Sequence, residues 1–218
     1  MRLLDSFWKN VWLELRTSLK SVLVLRSALG WVEAISVGMA LQKRIKAGEP
    51  FKNLPAPVSE KDEKSRMQIG PAIVLYEVLL ERHTKEEALA LVRDVSKEGA
   101  IIFLGTILPK IDRAWYDSLN EETKEVSLLE LVERFPNSSI GALSFEADAF
   151  SFEVKRCAFV ELANSTSHPE LARVFCEGDG VYFERHVPNV SFERPTALAS
   201  GGSCCDFRFK WLDGEDAT

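Results

Sequence analysis

All four cysteines of this chain fall between Glu153 and Lys210, together with His168 and His186, two of its three histidines. The same stretch holds Asp179, Asp206, Arg194, Arg208 and the Gly201-Gly202 pair. Thiols can attack electrophilic carbon, carboxylates can move protons, and arginine grips carboxylates with two parallel N–H donors.

Each position has a reactive and a structural reading. Cys157 opens the apolar run Ala158, Phe159, Val160, Leu162. If that run is helical, Cys157 sits in its first turn, where the helix N-terminus favours a thiolate. Otherwise it is a small buried hydrophobe, a common fate of free cysteine. Cys176 is expected at the end of the next helix, which opens with Ser167-x-x-Glu170 and Pro169 and stops at Gly178. A helix C-terminus does not activate a thiol, so Cys176 needs another activator. Asp179 is expected in the Gly-flanked turn Glu177-Gly-Asp-Gly180, either bonding its own backbone or acting as a base or anchor. His168 reads as a cap or surface residue and His186 as a loop residue. The cysteine and histidine spacings are not those of a zinc site, and no dinucleotide or phosphate loop motif occurs, so no metal or cofactor is expected.

Two strands should position this chemistry. Val190, Phe192, Arg194, Thr196 and Leu198 alternate onto one face, since strand side chains repeat every two residues. Pro195 cannot donate to a ladder and makes this an edge strand or bulge. Arg194 on an otherwise apolar face demands a partner or an anionic ligand. Cys205, Phe207, Phe209 and Trp211 share one face of the second strand, and Asp206, Arg208 and Lys210 the other. The Gly-Gly turn signal makes the two strands a hairpin.

Upstream, the pattern is helical. Leu4, Trp8, Val11, Leu15, Val22, Leu25, Leu29 and Val32 follow a four-three spacing, so residues 3 to about 46 form one helix or two. That helix either packs on its own domain or allows a homodimer through a seam. Domain organisation then reads as a helical arm over 1–48, a Pro- and charge-rich linker over 49–66, and one domain over 67–218. A helix is expected from Ile69 to His83, and Thr84-x-x-Glu87 caps another to about Glu98. Ala100 to Leu108 favours helix, as does Asp117 to Phe135, and Ile140 to Val154 reads as one or two strands. Helices first and strands later give an α+β fold: an antiparallel sheet with helices packed against it, behind a helical arm.

Composition is ordinary for a globular chain of 218 residues, 46% hydrophobic and 28% charged. The net charge of −6 and the absence of a long basic run argue against nucleic acid or an anionic membrane as partner. Asp5, Glu14 and Arg16 interrupt any signal-peptide core, and Ser27 to Gln42 is too short and carries Glu33, so neither secretion nor a membrane span is expected. A cytoplasmic location with reduced thiols follows.

The order Phe152-x-Val-x-Arg-Cys157, Pro169-Glu-Leu, Phe175-Cys176-x-x-Asp179, Phe192-x-Arg194-x-Thr196-x-Leu-Ala199-x-Gly-Gly202 and Cys205-Asp-Phe-Arg-Phe209 resembles the L-2-amino-thiazoline-4-carboxylic acid hydrolase family. The run Ile69-Gly-Pro-Ala-Ile-Val-Leu-Tyr-Glu-Val-Leu-Leu80 is similar to that family's early helix. The N-terminal helix and Cys204 lie outside the pattern. The resemblance implies a hydrolase opening a carbon–nitrogen bond of a small cyclic amidine, turning a 2-amino-thiazoline-4-carboxylate-like acid into an N-carbamoyl amino acid. On that footing Cys157, Cys176, Asp179 and Cys205 are candidate catalytic residues. Cys157 or Cys176 is the nucleophile or else positions an activated water, and Asp179 handles protons. Arg194, with Thr196, holds the substrate carboxylate; Arg208 joins it or pairs with Asp206. A more distant likeness, to small-molecule-binding domains of the 4-vinyl reductase type, implies a regulatory module that binds without turnover. A tailoring enzyme acting on another heterocyclic metabolite is the third reading.

Overall fold

A computed structural model describes residues 2–212, with side chains from Arg16 onward except Glu121. Within it, α1 (Arg2–Lys46), α2 (Glu60–Leu80) and α3 (Lys85–Ile107) form a helical layer. Two shorter helices follow, α4 (Arg113–Asp117) and α5 (Glu121–Val132). Then come β1 (Ser138–Phe145), β2 (Ala149–Cys157), α6 (Ala158–Asn164), α7 (Leu171–His186), β3 (Val190–Glu193) and β4 (Cys205–Trp211). The strands form one antiparallel sheet in the order β1-β2-β4-β3. The fold is therefore α+β with an N-terminal helix, as the sequence predicts.

Several boundaries differ from expectation. The charge run Glu60 to Arg66, expected as linker, is the start of α2. Ser59 caps it by accepting from the Asp62 amide at 3.1 Å. Acidic residues fill the first turn, and Arg66 pairs with Asp62 one turn on at 3.0 Å, so the charges support the helix instead of dissolving it. Thr84 and Glu87 form the expected reciprocal cap of α3. That helix then runs through Gly99 without a break, so its amphipathic and apolar stretches are one element.

Gly30, at φ 78° and ψ 171°, kinks α1, a backbone setting that glycine adopts without penalty. The four-three apolar pattern does not keep to one face: Leu25 is buried, whereas Val22 and Val32 are exposed. The packing expected for Leu4, Trp8, Val11 and Leu15 lies outside the described side chains.

The largest correction concerns α7. Gly178 does not end it; the helix continues to His186, so Cys176 and Asp179 are mid-helical and His186 is its last residue, not a loop residue. The glycine answers a packing need. A Cβ at Gly178 would lie 2.3 Å from the Ala100 Cβ on α3. The two helices approach too closely for any side chain there.

Two hydrophobic cores result. One lies among α1, α2, α3 and the start of α7, and includes Leu25, Val37, Ile73, Leu79, Val92 and Leu171. The other lies under the sheet. Its strands are joined by stacked rings: Phe150 on Phe209 at 4.5 Å and Phe152 on Phe207 at 4.9 Å. Such pairs add roughly 0.5–1.5 kcal/mol beyond the area they bury. The N-terminal half of α7 belongs to the first core and its Tyr182, Phe183 half to the second. Cys176 and Asp179 sit at the crossing point.

Candidate functional site

β3 lies at the edge of the sheet, but it ends at Glu193, so Pro195 falls outside the strand and does not set its edge position. Arg194 is therefore released from the ladder and turns toward α7. One guanidinium nitrogen donates to Asp179 Oδ2 at 2.8 Å and another to the backbone carbonyl of Cys176 at 2.7 Å. Its cationic plane also lies near the rings of Phe207 and Phe192, with centroids at 5.4 and 5.9 Å. The Arg194 side chain is only 16% exposed and that of Asp179 27%. The partner that Arg194 demands is thus supplied by the protein. Only two of its five N–H donors are accounted for by these contacts.

The thiols gather around this pair. Cys157 ends β2 and stands at the start of α6; Cys205 begins β4; both belong to the core under the sheet. Asp179 and Arg194 act electrostatically on Cys176 and on Cys205, and Cys157 acts on Cys176. Asn137 donates to the Cys157 sulfur at 3.6 Å, and the Leu198 amide donates to Cys205 at 3.3 Å.

The electrostatics favour the structural reading of Cys157. Burial raises the Cys157 thiol, and the amides of Val160 and Phe159 with the Asn137 side chain offset it only in part. The helix start does not deliver a thiolate. Burial also pushes Cys176 up to about 12, against the pull of Arg194. Cys205 is raised by burial too, with the Leu198 amide opposing. All three are held as thiols. Burial likewise raises the Asp179 carboxyl, and Arg194 pulls it part of the way back.

Four residues stand apart. Arg208 is 57% exposed and pairs with Asp206 at 2.6 Å on the outer face of β4. Thr196 does not share a strand face with Arg194, because the strand has already ended. Its hydroxyl lies 3.8 Å from Cys204, whose sulfur also approaches Glu153 at 3.9 Å. Leu198 falls in a short 3₁₀ turn, not on the strand. His168 packs edge-on against Tyr76 and lies 3.5 Å from Glu77, in the helical layer. Asn137 is the contact that sequence reasoning missed. It precedes β1 without any motif, and only the β1–β2 pairing carries it to Cys157.

The cluster lines neither of two surface clefts. One, of about 570 Å³, is bordered by Leu108, Lys110, Tyr182, His186 and Asn189; the other, of about 350 Å³, by Val24, Asp94 and Arg185. Among the described residues, no group of three or more His, Cys, Asp or Glu could hold a metal ion.

Chemically, the arrangement offers a cation and an anion fixed side by side, un-ionised sulfurs around them, and a carboxyl whose basicity is raised. That set suits a small ligand bearing both charges and a proton transfer beside it. No curated protein matches the chain. The family model for L-2-amino-thiazoline-4-carboxylic acid hydrolase matches residues 64–209, a span that contains every residue of this cluster. The chain belongs to the L-2-amino-thiazoline-4-carboxylic acid hydrolase family.

Proposed function

We propose that this protein opens the ring of a small cyclic amidine that carries a carboxylate, with 2-amino-thiazoline-4-carboxylate as the reference substrate. The observation that carries the reading is the Arg194–Asp179 pair at 2.8 Å, set among three thiols inside the family-matched span. An amidinium carboxylate is the mirror of that pair. Its carboxylate meets the free donors of Arg194, and its amidinium meets Asp179.

Atom balance selects the bond. A product with the carbamoyl group on nitrogen keeps both carbon–nitrogen bonds of the ring amidine carbon. The bond that breaks is then the ring carbon–sulfur bond, and one water is consumed. Water adds to the amidine carbon, its proton passes to Asp179, and the departing sulfur takes a proton and becomes a free thiol. Carbon–nitrogen cleavage, the expectation from sequence, would leave the carbamoyl group on sulfur and no free thiol. Because Cys157, Cys176 and Cys205 are held as thiols, attack by activated water fits better than attack by a preformed thiolate.

The test is incubation with 2-amino-thiazoline-4-carboxylate, with free thiol and carbamoyl product counted separately. One of each per substrate consumed is expected. A carbamoyl product without a thiol would reassign the broken bond, and no product at all would remove the hydrolase reading for this substrate.

The second reading is a binding module without turnover. It is favoured by the closed state of the cluster, whose opposite charges satisfy each other. A thermal-shift panel of heterocyclic acids finds the ligand under either reading, because a ligand that binds only the folded state raises the melting temperature whether or not it reacts; a shift without product then favours the binding module.

A further inference from the structure

α1 buries one face and leaves the other bare. Leu25, Ala34 and Val37 are buried in the helical core, and Glu33 meets His83 at 2.9 Å. On the opposite face Leu19, Leu23, Trp31, Val32, Ile35 and Met39 are exposed, Val32 to 86%. Among the described residues, the exposed large hydrophobics outside α1 are only Val58, Met67 and Val126. The apolar exposure of the molecule is thus gathered on one helix, which is unusual for scattered surface residues.

The charges on that helix are equally one-sided. Arg16, Lys20, Arg26, Lys43 and Lys46 are exposed, and the Arg26 guanidinium lies 4.7 Å from the centroid of the Trp31 ring. Lys20 also approaches Glu98 at 3.7 Å. Glu33 is the sole carboxylate between residues 16 and 46, and it faces His83. Residues 1–46 carry eight Lys and Arg against three Asp and Glu; the remainder carries nineteen against thirty. The whole-chain charge of −6 conceals a basic arm on an acidic body.

We propose that the outward face of α1 seats this protein on an anionic phospholipid surface. Trp31, Val32, Ile35 and Met39 enter the boundary between headgroups and acyl chains, and the flanking cations meet lipid phosphates. An apolar face, a basic rim and tryptophan are what an interfacial helix needs. The segment Arg16–Lys46 is also long and apolar enough to cross a membrane. Crossing, however, would strip Leu25, Ala34 and Val37 from the core and carry Glu33 into hydrocarbon. Lying on the surface requires neither. A second copy is a poorer occupant, since pairing through this face sets one basic rim against another. This inference is independent of the reaction proposed above.

Flotation of the full chain with vesicles is the test. Vesicles of phosphatidylcholine alone are compared with vesicles containing one third phosphatidylglycerol, in low salt and in 0.5 M salt. Binding to the anionic vesicles in low salt is expected, weakening by about tenfold or more in high salt as the charges are screened. The double variant Val32→Glu, Ile35→Glu places charge only at exposed positions. It should keep the wild-type melting temperature and lose flotation. Absence of flotation with anionic vesicles overturns the proposal. So does a doubled sedimentation mass that the same variant abolishes, which would make the face a seam between copies. Retention by neutral vesicles through high salt and an alkaline wash would also overturn it, in favour of a span.

Discussion

Arg194 and Asp179 approach to 2.8 Å across the gap between the end of β3 and the middle of α7, while the same guanidinium holds the carbonyl of Cys176. One side chain thus ties the sheet edge to the helix that links the two cores. The pair is half-buried, so each charge depends on the other.

Removing one partner should therefore cost more than removing both. Arg194→Met leaves Asp179 without its cation and should destabilise the protein by about 1–3 kcal/mol. Adding Asp179→Asn should restore part of that loss. Denaturant melts of the two single variants and the double variant measure the coupling. Simple additivity would show that the pair is not energetically linked.

The sign of the pH dependence follows from burial. Asp179 has a raised pKa in the folded state, so the folded state binds its proton more tightly than the unfolded chain does. Its stabilising contribution is fully present below the ordinary aspartate value of about 3.9 and is lost as pH rises through the folded value. Stability of wild type minus that of Asp179→Asn should fall with rising pH across that window. A difference that rises with pH would mean that Arg194 outweighs burial.

Thiol chemistry should be slow. With Cys157, Cys176 and Cys205 all raised, alkylation of the native protein by iodoacetamide at pH 7 should lag far behind that of the denatured chain, and accelerate with alkali. Rapid stoichiometric labelling of Cys157 at neutral pH would restore the thiolate nucleophile and shift the mechanism from water to sulfur.

Catalysis, if it follows the proposed route, should depend on the carboxyl and not on the outer arginine. Asp179→Asn should lower turnover of 2-amino-thiazoline-4-carboxylate by roughly 10²-fold or more, the usual scale of general acid–base catalysis. Arg208→Gln, at an exposed pair, should leave kcat and KM near wild type. An unchanged rate for folded Asp179→Asn would remove the carboxyl from the mechanism.

The contact between α3 and α7 gives a packing test. Gly178→Ala forces a methyl group to 2.3 Å from Ala100 and should destabilise by about 1–3 kcal/mol. Combining it with Ala100→Gly should recover part of the stability, although the new glycine itself costs up to about 1 kcal/mol in a helix. A combined variant less stable than Gly178→Ala alone would show that the clash is not with Ala100.

Local information was enough for much of this fold. The reciprocal cap at Thr84 and Glu87 and the alternation of Cys205, Phe207, Phe209 and Trp211 depend only on near neighbours, so they are readable in the chain. The same holds for the clustering of thiols, aspartate and arginine in one C-terminal stretch. Gly178 is different. As a letter it resembles a helix stop, but its reason is Ala100, remote in sequence and adjacent in space. In the sequence the partner of Arg194 is open between a group of the protein and an anionic ligand; the continuous α7 carries Asp179 to it. The state of Cys157 was also beyond sequence. A helix start argues for a thiolate, but burial under the sheet argues for a thiol, and burial exists only once the tertiary structure has formed. Charge and apolar residue types in α1 are legible in the sequence; which of them face outward was decided by Gly30 and by the core on the helix's other side.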